Sequence, residues 1–174
     1  MKKIITLLCL TFFLHMPAAF ALGYMNQQAG FNGAEWGDSP SKVKSRNIAL
    51  TFVRSIAEKS EDIYVEQNAS KKLYDMEFDN ITWHFVDNKL FMVRAVINND
   101  KYIYDSRLTH GVERMHGKAM QAMDNLHQKT ATLLWLGDKT YIRIFSDYKN
   151  KRTVLSLYND RLHLLWQSKG KFKK

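Results

Sequence analysis

Residues 81–97 read ITWHFVDNKLFMVRAVI. Strand-forming residues run into Asp87-Asn88, a pair that tolerates positive φ, and then Lys89 and Leu90 open a second strand-forming run, which is the local signature of a tight β-hairpin. The same order of residue types returns 72 positions later. Residues 85–93 lie over residues 157–165, where Leu157 and Tyr158 run into Asn159-Asp160, then Arg161 and Leu162. That offset also carries the end of one helical pattern, near Glu58, to the end of another, near Thr130. The prediction is an α+β fold of two related helix-then-antiparallel-meander units, α-βββ-α-ββββ, sharing one core.

Working outward from the hairpin, residues 74–78 alternate Tyr74, Met76 and Phe78 with Asp75 and Glu77, which predicts a half-buried strand before it. Residues 60–72 are polar and predict a loop, with a short strand at 63–65. Upstream, Asp38 or Ser39 can cap a helix, Pro40 suits its first position, and Leu50, Val53 and Ala57 share a helical face, so a helix is expected to about Lys59. Phe31 and Trp36 would fold over its start, although Trp36 could instead stack on a ligand. Downstream, a strand at 102–105 leads to a helix over 106–129, where Leu108, Val112, Met115, Ala119, Met123 and Leu126 recur every three or four residues. Gly111 and Gly117 weaken that helix and allow a kink. Four strands are expected after it, at 131–136, 140–145, 153–158 and 161–167. The units run 22–100 and 101–174.

The chain has 174 residues, 45% hydrophobic and 13% aromatic, enough for one ordinary core. Lys2 and Lys3, the apolar run 4–14 and Ala19-Phe20-Ala21 read as an export signal over residues 1–21, too short to span a bilayer comfortably. Removal of that leader takes the cations from 26 to 24 against 17 anions, a formal charge of +7, and removes the single cysteine. Disulfide and thiol chemistry are thereby excluded from residues 22–174. A basic exported chain, expected in the periplasm or secreted, meets acidic surfaces, and an acidic partner protein is expected. Nucleic acid is not, since no binding motif for it occurs.

Candidate chemistry is sparse: no G-x-S-x-G, no H-E-x-x-H and no Gly-rich phosphate loop are present, and no cofactor is expected. Met115, His116, Met120 and His127 on the expected second helix offer thioether and imidazole, the ligand set of Cu(I), although methionines on an apolar stripe more commonly fill core volume. The strands are rich in aromatics and arginine. If Trp83, Arg94, Tyr141, Arg143, Tyr158 and Trp166 face outward, they make a protein-binding face, because Tyr, Trp and Arg dominate interface hot spots. If the aromatics face inward, they are core.

The opening FNGAEWGDSPSKVK at positions 31–44 resembles the start of small exported bacterial proteins with an F-x-G-x-x-W-G-x-S-x-x-x-V pattern. The doubled helix-then-meander order is similar to the tandem units of the β-lactamase-inhibitor-protein-like fold, which the outer-membrane assembly lipoprotein BamE shares in single copy. The second unit lacks the W-G-x-S start, and no cysteine pairs staple the units. The resemblance implies a non-catalytic binding module of the bacterial envelope, whether inhibitor, immunity factor or assembly accessory. A Cu(I) or small-ligand carrier is the alternative.

Overall fold

The computed structural model describes residues 29–67, 72–74, 76–98 and 106–169. The expected leader and lead-in, Asp75, the strand at 102–105 and the lysine-rich end lie outside the described residues. Two short strands, β1 (Gly30–Phe31) and β2 (Ala34–Glu35), pair around Asn32 and Gly33, whose φ of 49° and 82° suit an Asn-Gly hairpin. Ser39 then caps α1 (Pro40–Lys44), accepting from the Lys42 N–H, with Pro40 at the first position as the sequence predicts.

That helix lasts five residues and does not reach Lys59. Asn47 turns the chain at φ 63°, and β3 (Leu50–Ile56) follows. Thr51, Phe52 and Val53 lose rotamer freedom in a helix and fit a pleated strand, and pairing with β4 (Glu61–Glu66) decides the matter. The short strand expected at 63–65 within the loop is present and longer, covering Glu61–Glu66. The expected strand at 74–78 is instead a small two-stranded turn, β5 (Lys72–Leu73) with β6 (Met76–Glu77), broken at Tyr74 with φ 49°.

The hairpin that anchors the reading is present. β7 (Asn80–Val86) and β8 (Lys89–Asn98) pair through Asp87 and Asn88 at φ 48° and 63°. After α2 (Ser106–His116), Gly117 takes φ 80° and its N–H bonds the Glu113 carbonyl at 2.8 Å, which ends the helix well short of Lys129. Residues 121–125 form β9 (Gln121–Asn125) instead, paired to β10 (Thr130–Leu136). β11 (Tyr141–Asp147) and β12 (Arg152–Tyr158) follow close to expectation.

The last segment corrects the reading most. Residues 161–167 are not a strand but lie in α3 (Asp160–Ser168). Asn159 has φ −81° and its side chain accepts from the Leu162 N–H at 3.1 Å, so the Asn-Asp pair caps a helix where Asp-Asn at 87–88 makes a turn. Asp160, in the first turn, suits the positive end of the helix dipole. The 72-residue offset therefore superposes a hairpin on a strand-to-helix junction and does not mark equivalent structure.

All eight long strands join one antiparallel sheet in the order β3-β4-β7-β8-β12-β11-β10-β9. Two four-strand runs thus meet where their last strands, β8 and β12, pair. The fold is α+β, mostly antiparallel sheet with a few helices. One face carries Ile81, Trp83, Phe85, Val93, Ala95, Leu155, Leu157, Ile142, Ile144 and Trp135, which cluster with Val43 of α1, Leu108 and Val112 of α2, Phe31, Met76 and Phe78. Each large side chain sealed there contributes about 1.5–3 kcal/mol. Phe31 meets Trp83 edge-on at 5.4 Å, and the Trp36 indole N–H donates to Thr140 Oγ1 at 2.8 Å, so both early aromatics serve the core. Gly111 lets α2 approach closely: a Cβ there would lie 2.5 Å from the Tyr74 carbonyl oxygen. Among the described residues no helix is long and apolar enough to cross a membrane.

Candidate functional site

The other face of the sheet is built differently. Strand register sets Thr82 opposite Arg94, Arg94 opposite Ser156, and Ser156 opposite Arg143, so a polar row crosses β7, β8, β12 and β11. The neighbouring row runs Ile63, His84, Met92, Tyr158 and Tyr141. A register shift between His84 and Phe85 leaves Phe91 as the extra residue, and it turns toward this face, where it clusters with Val86 and Met92. α3 lies over that cluster through Leu162 and Trp166.

Glu61 and His84 are buried at 3% and 4% exposure, and they hold α3 in place. His84 Nδ1 lies 2.6 Å from Glu61 Oε1, while the Trp166 indole N–H donates to Glu61 Oε2 at 2.7 Å. On the far side of the ring His84 Nε2 is 2.9 Å from the Thr82 hydroxyl. Burial works to raise the Glu61 pKa, but the hydrogen bonds from His84 and Trp166 and the charges of His84 and Arg94 outweigh it, so its carboxyl sits below the ordinary range. Burial pushes the His84 imidazole below its ordinary value, with Arg94 and Arg54 adding to the effect against the pull of Glu61. Desolvation of the ring is the dominant influence and favours a neutral imidazole donating Nδ1–H to the Glu61 carboxylate, with Nε2 facing the Thr82 hydroxyl, which also lies 3.4 Å from the Arg94 carbonyl oxygen.

Lys59 closes the other end of α3. Its ammonium donates to the Trp166, Gln167 and Lys169 carbonyls at 3.4, 3.5 and 2.6 Å, satisfying oxygens that the helix terminus leaves open. Lys169 pairs with Asp87 at 2.5 Å. An aromatic row runs beneath and beside the helix. Phe91 stacks on Trp166 at 5.8 Å, Trp166 on His163 at 5.4 Å, and Tyr158 lies 4.4 Å from His163 and 5.7 Å from Tyr141.

Arginine is the conspicuous charge here. Burial lowers the pKa of the half-buried Arg94 guanidinium, and the charges of Arg152 and Arg143 lower it further, against Glu61. Among the described residues none of these three arginines forms an ion pair with a carboxylate.

Five of the six residues selected as partner-facing, Arg94, Tyr141, Arg143, Tyr158 and Trp166, therefore share one sheet face with α3. Trp83 does not. It is fully buried on the opposite face, its indole N–H donating to Glu66 Oε2 at 3.0 Å, because β7 alternation places it with Ile81 and Phe85. The copper set loses its common helix. Met115 is exposed near the end of α2, His116 faces Tyr74 with Nε2 3.0 Å from the hydroxyl, Met120 lies past Gly117, and His127 sits in the turn between β9 and β10. Four residues of this face escaped sequence reasoning: Glu61, Thr82, His84 and Ser156. The one available signal was alternation, since Asn80, Thr82 and His84 are polar at alternate positions of β7.

No protein-family model matches the chain, and none of the curated proteins compared with it does. Among solved structures it is similar to the 1.5 Å crystal structure of an extracellular protein containing a SCP domain from Bacillus anthracis str. Ames, with a TM-score of 0.41 and 7% identity. That likeness covers 76% of this chain and 47% of the other. It is too loose to carry an inference about fold or function.

Proposed function

We propose that this chain is an exported, non-catalytic protein-binding module of the bacterial envelope, working through the sheet face beside α3 and taking an acidic partner. The observation that carries the reading is the gathering of Arg94, Tyr141, Arg143 and Tyr158 on one face at the seam between the two four-strand runs. A helix followed by a four-stranded run, taken twice and joined at β8 and β12, supports a two-unit origin for that seam in a form different from the 72-residue offset. Guanidinium groups beside tyrosines are the composition of interface hot spots, and arginines without a carboxylate partner among the described residues favour an acidic surface. Lys2, Lys3 and Ala19-Phe20-Ala21 support export to the periplasm or beyond. The Glu61–His84–Thr82 chain has the order of a carboxylate–imidazole–hydroxyl relay, but the second oxygen of Glu61 is committed to Trp166, which favours a clamp for α3 over a nucleophile.

The test is retention of proteins from envelope extract on the immobilised chain beginning at Leu22, compared with Tyr141→Ala and Arg143→Gln. An acidic protein held by the wild type, released by salt and lost from both variants is expected. Retention of the same proteins by all three forms, or of none by any, would overturn the reading.

A further inference from the structure

Within the polar row, Ser156 is 3% exposed, and its hydroxyl makes no hydrogen bond among the described residues but, unlike the sealed Thr153 hydroxyl, stays within reach of solvent. It lies directly between Arg94 and Arg143 in the register. Adjacent strands are about 4.8 Å apart, so the two arginines leave the sheet about 10 Å apart, and both side chains are long enough to lean over the serine between them. Arg152 adds a third cation, near enough for its charge to bear on Arg94. Glu61, the acid whose charge bears on Arg94, is already engaged by His84 and Trp166. Arg143 and Arg152 beside the half-buried Arg94 guanidinium gather three like charges, a repulsion that is relieved when an anion enters.

We infer that Arg94, Ser156 and Arg143 form a binding site for a phosphate-monoester dianion, with Arg152 at its rim. Two guanidinium forks and a hydroxyl present donors from three sides, which matches the several oxygens of a tetrahedral group. A planar carboxylate would fill fewer of those donors and neutralise one charge of three. The inference rests on the proposed reading only in using the same face. The phosphoryl group can come from free phosphate or from a lipid headgroup, and the two share this chemistry.

The experiment is calorimetric titration of the chain beginning at Leu22 with inorganic phosphate at fixed ionic strength, with sodium acetate as the carboxylate control. Saturable binding is expected, weakened about tenfold or more by Arg94→Gln and by Arg143→Gln, and less by Ser156→Ala. Lys149→Gln, outside the row, should leave it unchanged. Arg143 is exposed and Ser156→Ala removes one atom, so these two variants keep the test decisive if Arg94→Gln disturbs folding. In a second arm, vesicles of phosphatidylcholine with phosphatidate should capture the chain in competition with inorganic phosphate if the headgroup is the source; absence of capture alongside phosphate binding assigns the site to a free phosphate compound. No phosphate binding tighter than about 1 mM, equal binding of acetate, or an equal loss in Lys149→Gln would overturn the inference. Phosphate binding without retention of any acidic protein would leave this site standing and remove the protein-binding reading; the reverse result would do the opposite.

Discussion

The two faces of the central sheet use the same strands for opposite ends. On the face under α1 and α2, Trp83, Phe85, Leu155 and Leu157 are sealed, and their partners are apolar. On the other face the alternate residues of those strands are Thr82, His84, Ser156 and Tyr158, covered only in part by one nine-residue helix. The difference teaches where stability and where binding reside. Nonspecific burial holds the first face; a few directional contacts hold α3 on the second, so α3 can loosen while the sheet persists.

The largest effect should come from breaking the sealed face. Trp83→Ala removes a fully buried ring that touches Phe31 and leaves the Glu66 carboxyl, itself raised by burial, without its indole donor. The expected loss is about 3–5 kcal/mol, read from denaturant unfolding. A loss under about 1 kcal/mol would show that this face is not where the stability lies.

Next comes the clamp on α3. Glu61→Gln gives up the charge and can no longer accept from both His84 and Trp166, so α3 should lose about 1–3 kcal/mol of local protection in amide exchange while β7 and β8 keep theirs. Acid should act in the same direction. The folded His84 pKa lies below 6.5, so the closed state disfavours the protonated ring and is penalised as the pH falls below that value. The folded Glu61 pKa lies below 4.5, so its contribution is complete above that value and is lost beneath it. Protection of α3 should therefore decline from about pH 6.5 downward, ahead of global unfolding; Glu61→Gln removes the charge that holds the His84 pKa up, so its decline below pH 6.5 should be at least as steep, while the further loss below pH 4.5 disappears. Equal decline across α3 and β8 would merge the two faces into one cooperative unit.

How far the sequence carried this contrast depended on the range of the interaction. The β7–β8 hairpin and strands β10 to β12 are legible because alternation and two-residue Asx turns are local. The long helices were misread because Asn47 and Gly117 turn the chain with positive φ, and because β3 and β9 are strands by virtue of pairing with β4 and β10. A spacing of three or four among Met115, Ala119 and Met123 also suits a helix end followed by a strand. Asn159-Asp160 could be a turn or a cap, and only the docking of Trp166 on Phe91 distinguishes them. At the site, Arg94, Tyr141, Arg143 and Tyr158 could be chosen by residue type, and Trp166 was chosen on the wrong element. Glu61 and Ser156 could not be chosen, since their neighbours come from strands distant in sequence.

The smallest stability effect is the most telling about the second face. Arg143 is exposed and pairs with no carboxylate among the described residues, so Arg143→Gln removes repulsion against Arg94 at the cost of one exposed guanidinium contact over the Phe145 ring at 5.8 Å. Its melting temperature should be unchanged or slightly higher, within about 0.5 kcal/mol of wild type, while the binding tests above lose their signal. A residue kept in the fold by packing loses stability when removed. One whose removal costs only binding is there for what arrives from outside. If Arg143→Gln instead melts early, the arginine supports the sheet, and the second face is a core still partly wet.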